Sequence, residues 1–133
     1  MEKSMLNPAV LAKPGGYTHG VATRGGRVLF LAGQTGMDAT GAIVAPDDMV
    51  AQFRQALTNL RAVIDDAGAQ MTDIVKLNIF VADKKAYQTH TREIGVVYRE
   101  FFGKYFPAMT LVEVKSLWDE VALIEIEGIA VTD

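Results

Sequence analysis

The sequence predicts an α+β domain: a mixed six-stranded sheet with two helices on one face, in the order βββ-α-β-α-β-β. Three observations carry this expectation. Two long stretches place apolar residues at helical spacing. Short β-prone runs bounded by glycine and proline lie before, between and after them. The last of these runs alternates in a way that gives the sheet one oily and one mixed face.

The elements follow in order. In "GVATRGGRVLFLAGQTG" two β-prone runs flank Gly25-Gly26, a pair that permits positive φ at both turn positions and reads as a hairpin. "RVLFLAG" is apolar on both faces, as suits a strand covered on each side. "MDATGAIV" adds a turn at Thr40-Gly41 and a short third strand, completing a meander. Pro46-Asp47-Asp48 then opens a helix, because proline fits the first turn and carboxylates suit its positive end. Val50, Phe53, Leu57, Leu60, Ile64 and Ala67 form its apolar stripe, and Gly68 is placed to stop it. "DIVKLNIFVAD" is the next strand. A second helix spans Lys84 to Phe102, ended by Gly103 and Pro107, with Tyr87, Ile94, Val97, Tyr98 and Phe101 on its apolar side. "MTLVEV" and "VALIEIEGIAV" are the closing strands.

The whole is 133 residues, the size of one domain spanning 1–133, and long enough to bury a core without metal or disulfide. Half the residues are hydrophobic and 22% charged, which is globular composition. With no cysteine there is no thiol nucleophile and no thiolate metal site. A net charge of −3 argues against a nucleic-acid partner, since phosphate neutralisation needs clustered Lys and Arg. No apolar run reaches membrane-spanning length, and "MEKSMLNPAV" lacks the apolar core of a signal peptide. A soluble, cytoplasmic domain without nucleic-acid or membrane partners is the expectation.

The last strand carries the first functional signal. Alternation sets Ala122, Ile124 and Ile126 on one face and Leu123, Glu125, Glu127, Ile129 and Val131 on the other. Two carboxylates among aliphatics are costly unless that face is wet or meets another chain. Helices cover only one face, and no third layer remains, so the bare face is expected to be covered by further copies, with Glu125 or Glu127 lining a cleft between them. Glu125 is the leading acid/base candidate, able to hold a water or shuttle a proton. Its competing reading is a solvated strand position or a salt bridge between subunits. Gly33, in "AGQTGMD", would let a ligand or backbone come close, or marks a plain turn or bulge. Tyr17, in "PGGYTHG", offers a hydroxyl to substrate or water, or packs locally. His19 adjoins it and is a further site candidate, whereas His90, between Tyr87 and Ile94, reads as structural. Two isolated histidines make no metal site, the serines sit in no nucleophile motif, and "RGGRV" is a turn and not a phosphate loop.

Taken together, "GGYTHGV", "VLFLAGQTGMD", "NIFVADKKAY", "VYREFFGKYFPA", "TLVEV" and "IEIEGIAV" resemble the reactive intermediate/imine deaminase (Rid) family, also labelled endoribonuclease L-PSP, from about Lys13 to Val131. The resemblance implies a chorismate-mutase-like fold, a homotrimer with a ligand cleft at each subunit boundary, and hydrolysis of enamines and imines such as 2-aminoacrylate with no cofactor. It implies Glu125 as the carboxylate positioning the attacking water, Tyr17 and Gly33 as cleft residues, and a main-chain N–H at Leu111 facing the ligand. One departure stands out. Deaminating members read Pro-Ala-Arg where this chain reads Pro107-Ala108-Met109, and that arginine would pair with the substrate carboxylate. Gly95 stands where many members carry asparagine, and Tyr17-Thr18-His19-Gly20 departs from the usual wording after the tyrosine. The implied activity is therefore hydrolysis of an enamine, imine or related small metabolite other than 2-aminoacrylate. The alternatives are a non-catalytic metabolite-binding or chaperone-like trimer, and an endoribonuclease, which the acidic balance disfavours. Met109 shifts the cleft toward neutral or apolar small-molecule ligands, with His19, Arg24 or Lys115 as candidates to restore polarity.

Overall fold

A computed structural model describes residues 1–133. Its elements are β1 (Glu2–Leu6), β2 (Gly20–Arg24), β3 (Arg27–Thr35), α1 (Met49–Asp66), β4 (Ile74–Val81), α2 (Lys84–Thr89), α3 (Thr91–Phe102), β5 (Ala108–Glu113) and β6 (Ile124–Thr132). The α+β class stands as expected and the strands again number six, but the sequence does not predict β1, which takes the place in the count of the strand expected after Thr40-Gly41. Their division differs too: the strands form a two-stranded sheet, β1-β2, and a four-stranded sheet in the order β3-β6-β4-β5. In the larger sheet β4 and β5 run parallel, and every other neighbouring pair is antiparallel.

Each departure has a local cause. Gly25 and Gly26 do take positive φ, 73° and 87°, yet β2 pairs with β1 and not with β3 across the bend. Most of β2 is exposed, so little in its sequence specifies a partner, and the N-terminal strand takes the place of the hairpin neighbour. The strand expected after Thr40-Gly41 shrinks to a single bridge, Met37 to Ile43. There the Asp38 carboxylate accepts from the Thr40 hydroxyl (2.6 Å), the Thr40 N–H (2.9 Å) and the Ala42 N–H (3.2 Å), making a side-chain-capped turn in place of a ladder. Those bonds, the Thr40 hydroxyl foremost, hold the Asp38 carboxyl below the usual carboxylate range. The second long helix breaks at His90 into α2 and α3. Thr89 and Thr91 donate back to the Lys85 and Gln88 carbonyls, and His90 Nδ1 lies 2.8 Å from the Ala86 carbonyl. Side chains competing for backbone carbonyls are a sufficient reason for the break.

Helix α1 begins one residue after Asp48, which caps it by accepting the Ala51 N–H at 3.0 Å, and ends at Ala67 before Gly68 turns with φ 72°. It packs Phe53, Leu57, Leu60 and Ile64 onto the sheet, and α3 adds Ile94, Val97 and Phe102. The sheet answers with Leu77, Ile79, Val81, Ile124, Ile126 and Ala130, so the core lies between the helices and one face of the four-stranded sheet. Gln52 is fully buried within this layer and fully bonded. Its amide nitrogen donates to the carbonyls of Ala45, Pro46 and Val121, each at 3.1 Å, and its oxygen accepts the Leu123 N–H at 2.7 Å. One side chain thus ties the approach to α1 to the approach to β6. The opposite sheet face has no cover. Phe30 there is 80% exposed and Val28 51%.

Candidate functional site

Strand β6 sets the first half of the site. Ile124, Ile126 and Ala130 point into the core, while Glu125 and Glu127 stand half-buried on the bare face, as the alternation requires. Phe80 and Thr35 flank Glu125 in register, and Asn78 sits beside Glu127. Neither glutamate has an ion-pair partner in the chain. What distinguishes them is Gly33. The β3–β6 register slips between Leu31 and Gln34, a bulge that brings the Gly33 backbone onto the Glu125 side chain. A Cβ at position 33 would fall 2.9 Å from the Glu125 carboxyl carbon and 3.0 Å from its Cγ, closer than side chains tolerate. Bulge and close approach are therefore the same feature: glycine leaves the space that the Glu125 carboxylate occupies.

The second half lies on the edge strand β5. Met109 and Leu111 are in register with Leu77 and Ile79, and so share the helix-covered side of the sheet. The segment before β2 closes over them. Thr18, buried, donates its N–H to the Pro107 carbonyl at 3.0 Å and its hydroxyl to the Phe106 carbonyl at 2.6 Å, forming a parallel bridge to Ala108. This seats Tyr17 beside a cavity of about 290 Å³ lined with Gly15, Gly16, Met109 and Leu111. The His19 ring meets the Tyr17 ring edge-on at 5.2 Å, and its Nε2 lies 2.7 Å from the Ala12 carbonyl. His19 therefore braces Tyr17 with one ring nitrogen already engaged by backbone.

The residues singled out from sequence thus fall into two sets. Gly33 and Glu125 meet on the bare face, and Tyr17, His19, Met109 and Leu111 gather at the β5 edge. Strand β4 runs between β6 and β5, and the sheet itself separates Glu125 from Met109, since the two point to opposite faces. Of the candidates for restoring polarity, Arg24 lies on β2 opposite Glu2, 3.9 Å from its carboxylate, and neither it nor Lys115 lines a cavity with Met109. The cation that does so is Arg99 on α3, which joins Met109 around an adjoining cavity of about 500 Å³. Sequence reasoning missed it. The signal was present in the four-residue spacing from Gly95, which puts both on one side of the helix. Thr18 and Gln52 were missed as well, because a polar residue that fixes loops by bonding backbone has no pattern of its own.

With this geometry in view, comparison with known proteins is informative. The family model described as endoribonuclease L-PSP matches residues 9–132. A 2-iminobutanoate/2-iminopropanoate deaminase of Salmonella typhimurium is 37% identical over 135 residues, covering 98% of each chain. A RutC family protein of Pyrococcus horikoshii is 36% identical over 109 residues, covering 82% of each. Among solved structures, a Rid-family protein of unknown function from Yersinia pestis, YyfB, superimposes with a TM-score of 0.88 at 31% identity, covering 99% of this chain and 100% of that one.

Proposed function

The chain belongs to the endoribonuclease L-PSP (Rid) family, and on that premise we propose that it is a cofactor-free hydrolase of enamines or imines, working in a cleft formed between copies of the chain. The observation that carries this reading is the pairing of Gly33 with Glu125. A strand gives up a side chain where it faces a carboxylate that has no ion-pair partner, on a sheet face that nothing in the chain covers. Glu125 is proposed to hold the water that attacks the C=N carbon and to take its proton. Glu125 returns that proton to the nitrogen, the C–N bond of the resulting carbinolamine breaks as its hydroxyl becomes the carbonyl, and ammonia and the carbonyl product depart. Tyr17 is proposed to steer the substrate, its hydroxyl having no hydrogen-bond partner of its own. The main-chain N–H groups of β5 around Leu111 are proposed to polarise it, because beyond the single bridge from Thr18 to Ala108 no strand pairs with β5 on its outer side.

Two features support a cleft between copies. Glu125 and Met109 point to opposite faces of one sheet, so a single chain cannot bring them onto one small substrate. The bare face exposes Phe30 and Val28, which a second copy would cover. A homotrimer satisfies both and is the proposed assembly. Named relatives act on 2-iminobutanoate and 2-iminopropanoate. In this chain the β5 position carries Met109, which offers a carboxylate neither charge nor donor, so 2-aminoacrylate is not the proposed substrate.

The test is release of ammonia and carbonyl compound from freshly generated imines of alanine, leucine, phenylalanine and a neutral amine, with wild type, Glu125→Gln and Met109→Arg. Hydrolysis by wild type that Glu125→Gln abolishes supports the reading. A gain of roughly 10- to 100-fold on the alanine imine in Met109→Arg, the worth of a charge-assisted bond, shows that the remaining cleft is competent. Silence from all three proteins overturns the hydrolase and leaves a metabolite-binding protein.

A further inference from the structure

The geometry points to Arg99 as the anion anchor of this cleft, making its ligands carboxylates with an aromatic or branched aliphatic body. The inference rests on the cleft proposed above and names its substrate class. Three observations converge. First, Arg99 makes no ion pair: the chain's salt bridges are Met1–Asp133, Arg24–Glu2 and Arg54–Glu100. Second, its guanidinium folds back over the helix turn at Gly95. The Arg99 Nη1 lies 3.5 Å from where a Cβ of Gly95 would stand, an ordinary contact distance, so a methyl fits there and only a bulkier side chain competes for the same space. Helical side chains lean toward the N-terminus, and the residue four back is the one they cover. Third, the cavity it lines is built for an amphipathic guest.

That cavity, about 500 Å³, is walled by Tyr87, Ile94, Tyr98, Phe106 and Met109. Its size falls within the roughly 300–1,000 Å³ of small-molecule sites. The wall is rigid: Tyr98 stacks on Phe106 at 5.2 Å with planes 2° apart, and the Tyr98 hydroxyl is held by the Tyr105 carbonyl at 2.8 Å. Arg99 is the one charged residue in the lining, and no carboxylate shares it. The Thr91 hydroxyl, also in the lining, donates to the Gln88 carbonyl at 2.7 Å and so is already engaged. An aromatic-walled space with one unpaired cation is complementary to a monoanion with an apolar body. The space also continues into the cavity beside Tyr17, because Gly15, Gly16 and Met109 line both. Met109 is then the apolar passage between the reacting end and the anchored end. The cation of this cleft stands on α3 and not on β5, so the body of the ligand must fill the space between it and the cavity beside Tyr17.

The experiment is calorimetric titration with phenylpyruvate, its methyl ester and pyruvate, using wild type, Arg99→Gln, Arg99→Lys and Glu125→Gln. Phenylpyruvate is a stable carbonyl counterpart of the phenylalanine imine. The inference expects wild type to bind the acid 10- to 100-fold more tightly than the ester, the range of a charge-assisted contact. Arg99→Gln should erase that difference by weakening the acid alone, Arg99→Lys should keep part of it, and pyruvate should bind most weakly. Gly95→Val, which displaces the guanidinium while leaving its charge, should weaken the acid as well. Equal binding of acid and ester by wild type, no detectable binding of the acid, or an Arg99→Gln affinity equal to wild type would overturn it. Glu125→Gln separates the two proposals. If it binds the acid normally while no imine is turned over by wild type, the anchor stands and the hydrolase falls. Glu125-dependent turnover that ignores Arg99 and the carboxylate gives the reverse.

Discussion

The two faces of the four-stranded sheet obey different rules. On the helix-covered face every buried side-chain polar atom has a hydrogen-bond partner, Gln52 included, and the aliphatic residues of β4 and β6 are almost wholly shielded. On the bare face, two carboxylates without ion-pair partners stand near a phenylalanine left 80% exposed. The same strands build both, since alternation hands each face every second residue. The covered face is complete within one chain. The other shows the features expected of a surface completed by a further copy, and it carries the carboxylate to which we assign chemistry.

The contrast is most directly broken at Glu125. Glu125→Gln keeps shape and removes the base, and should lower kcat by about 10²–10⁴-fold with the urea midpoint nearly unchanged. Steady-state hydrolysis of the responsive imine checks it. Gly33→Ala should come next. The added methyl pushes the Glu125 carboxylate aside, and a displacement of that order costs about 100-fold in turnover while leaving the core untouched. If Gly33→Ala were as active as wild type, the reading of that close approach would be wrong. Phe30→Glu tests whether the bare face is an interface. Removing an apolar side chain worth about 1.5–3 kcal/mol when buried, and adding a charge, should shift the sedimentation coefficient toward that of a monomer.

The covered face is probed by alkali. Burial raises the phenols of Tyr87, Tyr98 and Tyr105 above the ordinary value, Tyr105 to about 12. The folded chain therefore holds these protons more tightly than the unfolded chain. Their contribution to stability is whole below about pH 10 and is lost as pH climbs through the folded values. Urea midpoints should fall over that window. The smallest effect belongs to the surface pair Arg54–Glu100, which links α1 to α3. Its hydrogen bond to Arg54 lowers the Glu100 carboxyl, so its contribution is present at neutral pH and disappears as acid protonates Glu100. Wild type and Arg54→Gln should differ slightly at neutral pH and converge in acid.

What could be read from the chain alone follows the same division. The stripe from Phe53 to Ile64 and the alternation from Ile124 to Ala130 were legible, because burial imposes periods of 3.6 and 2. The partner of β2 was not, since an exposed strand records no preference. Nor was the break at His90, where three side chains outbid the helix for carbonyls that a propensity reading credits to it. At the site, Glu125 and Gly33 could be named but not joined, because their contact depends on a bulge with no signature. Arg99 could be placed one turn beyond Gly95 from spacing, but not beside Met109, because the cavity they share exists only once α3 and β5 come together.

Gln52 has a practical consequence for anyone wishing to modify the protein. Its amide grips Val121 and Leu123, the last residues before β6, and so moors that strand from its upstream end. The connection from β5 is secured at its far side whatever its length, and at its middle Trp118 is wholly exposed. A peptide tag or fluorophore grafted near Trp118 should ride outside the domain, while Glu125, two residues beyond the mooring, keeps its place.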